Sequence, residues 1–324
     1  MFLSVVLFAI GLVLLIYGGD WFVDGATGIA KRFRLPDIVV GATVVSIGTT
    51  LPEVMVSTTG ALQGSGAMAY GNAIGSIICN TSLIAAISIV CNPGPVNTKS
   101  MKTPAIFFFL SSAIYCLAAY GMGTFPRWLG FIMLSVFAVY MFLTVHNGLR
   151  NPDAAASEEA AEEKERKLWQ ELLLLVGGAA VIAVGADLLV EHGQIIAIEL
   201  GVPATVVALL FVALGTSLPE LVTTITSLRK GRASLGVGNV IGANIFNLVL
   251  VSGVAVSLAP FDVPVENTLL NTGLNLSLVF DIPVMLAVMS LMIFPALLNK
   301  KLSRWQGVAP LGIYAAFVVL QFVL

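Results

Sequence analysis

Apolar stretches long enough to cross a bilayer, about 20 residues apiece, follow one another along nearly the whole 324-residue chain. They run over residues 1–18, 38–62, 69–91, 104–121, 127–146, 170–190, 204–228, 236–257, 282–298 and 306–323. In hydrocarbon a segment of this length must bond its own backbone N–H and C=O groups, which only a helix does. The expectation is an all-α polytopic membrane protein with ten transmembrane helices. Composition agrees, being 58% hydrophobic and 10% charged, against roughly 45–50% and 25% in soluble domains. The first stretch meets Gly18, Gly19 and Asp20 with no basic leader or small-residue cleavage site, so it reads as a retained helix rather than a signal peptide. Cys79, Cys91 and Cys116 have no paired spacing and suggest no disulfide or metal framework.

Charge sets the expected orientation, because short cytoplasmic loops are rich in Lys and Arg. With ten spans, fifteen of the sixteen basic residues fall on one side, Arg127 being the exception. Both termini are therefore expected outside a cell membrane that the chain crosses many times.

Shifting the chain by 167 residues lays it on itself. Gly48-Thr49-Thr50-Leu51-Pro52-Glu53 falls on Gly215-Thr216-Ser217-Leu218-Pro219-Glu220, and Gly71-Asn72-Ala73-Ile74-Gly75 on Gly238-Asn239-Val240-Ile241-Gly242. Each half holds five spans, an odd number, so the second must lie upside down relative to the first. Basic Lys31, Arg32 and Arg34 match Ile198, Glu199 and Gly201, whereas Leu62, Gln63 and Ser65 match Arg229, Lys230 and Arg232, as an inversion requires. The expected organisation is a five-helix repeat over 1–150, a cytoplasmic linker over 151–168 and an inverted five-helix repeat over 169–324. The linker, with Glu158, Glu159, Glu162, Glu163 and Glu165, reads as a solvated helix.

Carboxylates in the middle of a membrane span are costly and usually mark an ion path. Glu53 and Glu220 occupy such places, each after a proline that lacks an N–H and frees the carbonyl four residues back. Matching breaks in two repeats point to a midplane binding site. Thr49 lies one helical turn from Glu53 and Thr216 one turn from Glu220, while Ser76 aligns with Asn80 and Ala243 with Asn247. Gly71/Gly75 and Gly238/Gly242 offer small surfaces for close helix approach. The donors are all oxygens, which suits hard cations such as Ca2+ or Na+ rather than zinc or copper. Two ionised glutamates balance one Ca2+ or two Na+. Asp20 and Asp187 read as helix-end groups, Asp281 as the N-cap of the ninth span, and His146 and His192 as without a role.

These motifs resemble the repeats of the calcium/cation antiporter superfamily, especially its prokaryotic sodium/calcium exchangers. The resemblance implies cation ligands at Ser46 (through its carbonyl), Thr49, Thr50, Glu53, Ser76 and Asn80, and at Ala213 (through its carbonyl), Thr216, Ser217, Glu220 and Asn247. Two positions depart from relatives: Ala243, where Ser occurs, and Asn247, which is Asp in some members, including potassium-dependent ones. The implied function is secondary antiport of Ca2+ against Na+. Proton coupling is the alternative and a cation channel the rival class. The transported ions and the bilayer are the expected partners, with no cofactor, nucleic acid or obligate protein partner. The chain carries no H-E-x-x-H, P-loop or nucleotide motif, and Gly18-Gly19-Asp20 is too short a likeness to an aspartyl protease, so neither an enzyme nor an ATP-driven pump is expected.

Overall fold

A computed structural model describes residues 2–150, 166–200, 215–264 and 275–323. It is nearly all helical. The helices are α1 (Phe2–Phe33), α2 (Asp37–Leu62), α3 (Gly66–Cys91), α4 (Thr98–Met122), α5 (Arg127–Leu149), α6 (Leu168–Glu199), α7 (Leu218–Arg229), α8 (Ala233–Leu258), α9 (Ser277–Asn299) and α10 (Trp305–Val323). Eight of them are long and apolar enough to cross a membrane; α10 is a shorter apolar helix, and α7 is the described part of the seventh stretch. Most of the 151–168 linker, including its glutamates, lies outside the described residues.

α1 and α6 are each 32 residues long, about 48 Å at 1.5 Å per residue, and extend well past their expected ends. Asp20, expected at a helix end, lies inside α1, where Lys230 donates to its carbonyl oxygen at 2.9 Å and pairs with Asp24 at 2.5 Å. A basic side chain distant in sequence thus meets the acids in the second half of α1. Asp187 likewise lies inside α6. The two helices run antiparallel on a seam of glycines. A Cβ added at Gly11 would stand 2.9 Å from the carbonyl oxygen of Gly185, and one at Gly178 2.9 Å from that of Gly18. Only glycine lets the backbones approach so closely.

Among the described residues, five helices contain a turn of π-helix. In α2 it spans Gly41–Val45, where the Ser46 hydroxyl bonds the carbonyl of Gly41 at 2.8 Å and the Tyr140 hydroxyl that of Ala42 at 2.8 Å. In α3 it begins at Asn80 and in α8 at Asn247, positions 167 apart; the others lie in α4 and α9. Such wide turns free carbonyls and gather at functional sites. The prolines act differently in the two halves. Pro52 sits within continuous helix, whereas Pro219 falls in the first turn of α7, after non-helical Thr216 and Ser217. Asp281 is not an N-cap: the helix runs through it as a π-turn, and its carboxylate accepts from Gln321 of α10 at 2.8 Å.

Two short antiparallel ladders tie loops together. β1 (Gly94–Pro95), between α3 and α4, pairs with β4 (Lys301–Leu302), between α9 and α10. β2 (Thr124–Phe125), between α4 and α5, pairs with β3 (Phe261–Asp262), between α8 and α9. The core under them is apolar and aromatic, with Tyr70, Tyr115 and Phe125 in mutual ring contact.

Candidate cation site

Around Glu53, α2 turns its polar residues inward and its apolar ones out, whereas α8 is buried on every side from Leu235 to Phe246. On α2, Leu51 and Met55 are exposed to the surroundings of the bundle, whereas Ser46, Thr49, Thr50 and Glu53 are buried. Glu53 and Glu220 are both 0% exposed. Thr50 donates to Glu220 Oε1 at 3.5 Å, so the first motif reaches the glutamate of the second. The remaining oxygens, Glu53 Oε1 and Oε2 and Glu220 Oε2, have no hydrogen-bond partner among the described residues.

Around them stand further orphaned groups. Asn80 and Asn247 are wholly buried, each at the start of a π-turn, with both amide atoms unpartnered. The hydroxyl of buried Ser217 is unpartnered too. Ser76 is buried and donates to Asn72 Oδ1 at 3.5 Å. Ser46 is buried with its hydroxyl turned to Gly41 and to the Asn239 carbonyl at 2.9 Å. Ala213 lies outside the described residues.

Two residues absent from the expected ligand set join the halves. Thr49 donates to Asn239 Oδ1 at 3.1 Å, and its counterpart Thr216 donates to Asn72 Oδ1 at 3.3 Å. Asn72 also donates to the Glu53 carbonyl at 3.4 Å and to Ser57 at 2.8 Å. Both asparagines were visible as matches in the internal repeat; what sequence did not reveal was that each receives the threonine of the opposite half. Gly238 and Gly242 provide the expected close approach. A Cβ on Gly238 would collide with the Ile38 carbonyl, and one on Gly242 would lie 2.7 Å from that of Ala42. Gly71 and Gly75 meet no such neighbour among the described residues. Ala243 is wholly buried in α8 and brings no oxygen.

Chemically, this is a pair of carboxylates with no Lys or Arg within ion-pairing distance among the described residues, surrounded by amide and hydroxyl groups. A buried charge without a partner costs several kcal/mol. A hard cation held by oxygens would supply the missing countercharge.

A family model described as sodium/calcium exchanger protein matches residues 3–145 and 171–323. An uncharacterized membrane protein of Methanocaldococcus jannaschii is 33% identical over 312 residues, covering 96% of each chain. The sodium/calcium exchanger MaX1 of Methanosarcina acetivorans is 30% identical over 348 residues, covering 97% of each. A solved structure of the sodium-calcium exchanger NCX_Mj superposes with a TM-score of 0.79 at 29% identity over 99% of both chains.

Proposed function

The chain belongs to the sodium/calcium exchanger protein family, which comprises transporters rather than enzymes, and from that premise we propose that it exchanges Ca2+ for Na+ by alternating access. The observation that carries this reading is the pair Glu53 and Glu220, one from each half, fully buried with three of their four carboxylate oxygens unpartnered among the described residues. The ligand set is Ser46 and Ala213 through their carbonyls with Thr49, Thr50, Glu53, Ser76, Asn80, Thr216, Ser217, Glu220 and Asn247, and no resident cofactor takes part.

Coupling follows from electrostatics. One Ca2+ or two Na+ neutralise the two carboxylates, so either load makes the site cheap to enclose. Without a cation, closing the site would bury two unpaired like charges, each costing several kcal/mol. The unloaded carrier therefore does not cross, and one ion leaves only when the other takes its place.

Ten spans in two inverted repeats are the architecture this mechanism uses. Four features support it: the π-turns that begin at Asn80 and Asn247, the reciprocal Thr49–Asn239 and Thr216–Asn72 bonds, the reciprocal glycine contacts of α1 and α6, and the ladders. Loops assigned to the basic side pair with each other through β1–β4, and loops assigned to the opposite side pair through β2–β3. Both termini then face outside the cell membrane. Cysteines at 65 and 264 should be labelled from outside and those at 99 and 231 only from inside; a label on the wrong side breaks this topology.

The deciding experiment is 45Ca2+ flux in proteoliposomes with Na+, K+ and H+ gradients imposed separately. Uptake driven by a Na+ gradient is expected. Uptake driven by H+ alone would replace sodium with proton coupling, and flux indifferent to any counter-ion gradient would make the protein a channel.

A further inference from the structure

Beyond Glu220, α7 carries a second row of polar groups that the exchange site does not use. Thr223, Thr224 and Ser227 follow the glutamate by three, four and seven residues, which places them along the same side of the helix. None is more than 2% exposed, and none of their hydroxyls has a partner among the described residues. Serine and threonine in a helix commonly bond a carbonyl one turn back; these three do not. The end of α3 packs against α7 and contributes Ser88, also buried and unpartnered. The row leads from Glu220 to Arg229 and Lys230 at the basic end.

Helix packing does not require these hydroxyls, as the other half demonstrates. Shifting by 167 residues places Val56, Ser57 and Gly60 on α2 opposite Thr223, Thr224 and Ser227, and Ala255 on α8 opposite Ser88. Only one of these four has a hydroxyl, and that one, Ser57, is bonded by Asn72. The region around Ala255 is a small apolar cluster with Ala61 and Ala69, closed by Ala259 and Phe261. At the four matched positions the packing is thus achieved with a single, bonded hydroxyl on one side of the glutamates and with four unpartnered ones on the other.

We propose that Thr223, Thr224, Ser227 and Ser88 form a further cation station between Glu220 and the basic end, where Na+ or Ca2+ exchanges part of its water shell for hydroxyl oxygens on its way to or from the carboxylates. The station is neutral, so it holds an ion more weakly than the glutamates and lets it pass on. Its half of the route is hydroxyl-lined, while the matched positions of the opposite half are mostly apolar, with Ala255 in a small apolar cluster. This rests on the cation-transport reading of the site.

The test is sided. Thr223→Val, which keeps the shape and removes the hydroxyl, and Ser227→Ala are reconstituted singly and together, with orientation fixed by labelling a cysteine at 231. Half-saturation for Ca2+ and for Na+ is measured on each face. On the basic face it should rise roughly three- to ten-fold, the range expected when hydrogen-bond-scale ligands are removed, with no change on the opposite face. Equal shifts on both faces, or curves that coincide with the parent's, overturn the station. Ca2+/Ca2+ equilibrium exchange is run in parallel because it needs no coupling ion. If the parent fails only in Na+-driven exchange, the sodium reading falls while the station is still judged from Ca2+ half-saturation. If the parent moves no cation at all, both fall.

Discussion

Acidic residues meet opposite fates at the basic end of the bundle and at its centre. At the basic end, Asp24 pairs with Lys230 and Arg166, Glu171 with Arg32 at 3.3 Å, and Asp37 with Arg232 at 3.2 Å. At the centre, Glu53 and Glu220 are more deeply buried yet have no Lys or Arg within ion-pairing distance among the described residues. A chain that supplies Lys and Arg to its peripheral acids and withholds them from its central ones keeps the central countercharge exchangeable. The peripheral pairs join helices; the central pair, on the proposed function, would hold cargo.

The largest effect is expected where that cargo is lost. Glu53→Gln and Glu220→Gln should each abolish Ca2+ exchange, measured as 45Ca2+ flux, while thermal unfolding without cations is no lower than in the parent, since a neutral amide is cheaper to bury. Normal flux in either variant would erase the contrast between centre and periphery. Next comes Arg232→Met. Arg232 and Asp37 are both nearly buried, so removing one partner should cost about 3–5 kcal/mol, read as lost resistance to denaturing detergent. Asp37→Asn added to it should recover most of the loss; a double variant as weak as the single one argues that Arg232 acts through packing rather than charge.

Smaller effects sharpen the comparison. Ala243→Ser places a hydroxyl at the position equivalent to Ser76 and should lower the Na+ half-saturation on the face opposite the basic loops several-fold, with a steeper Hill slope. Coincident sodium curves would detach Ala243 from any sodium ligand shell. Least is expected of Lys230→Ala. Its partners are partly solvated, with Lys230 28% and Asp24 22% exposed, and such pairs contribute about 0–1 kcal/mol. A stability loss as large as that of Arg232→Met would mean that Lys230 fastens α1 more firmly than its exposure implies.

Glu53 and Glu220 could be found from sequence because a charge in an apolar span stands out, and twice in the same context stands out more. Other features depended on partners remote in the chain. α1 looked finished at Asp20 because its neutralising lysine lies 210 residues away. The π-turn of α2 draws on Tyr140, 98 residues from the carbonyl it bonds. Two-residue strands have no periodicity to detect, so the ladders left no trace. Asp281 before Pro283 has the local pattern of a cap, but its partner is Gln321 at the end of the chain.

Those ladders also divide the bundle mechanically. β1–β4 and β2–β3 adjoin the ends of α3, α4, α5, α8, α9 and α10, and neither adjoins α1, α2, α6 or α7. Six helices are joined at their ends by backbone hydrogen bonds, and the other four meet the bundle through helix-face contacts, closest where Gly238 and Gly242 of α8 take the backbone of α2. Glu53 and Glu220 stand on α2 and α7, which no ladder adjoins, whereas Asn80 and Asn247 stand on α3 and α8, which the ladders join. In the proposed exchange cycle the carboxylates and the amides would therefore reach the ion from two differently fastened sets of helices.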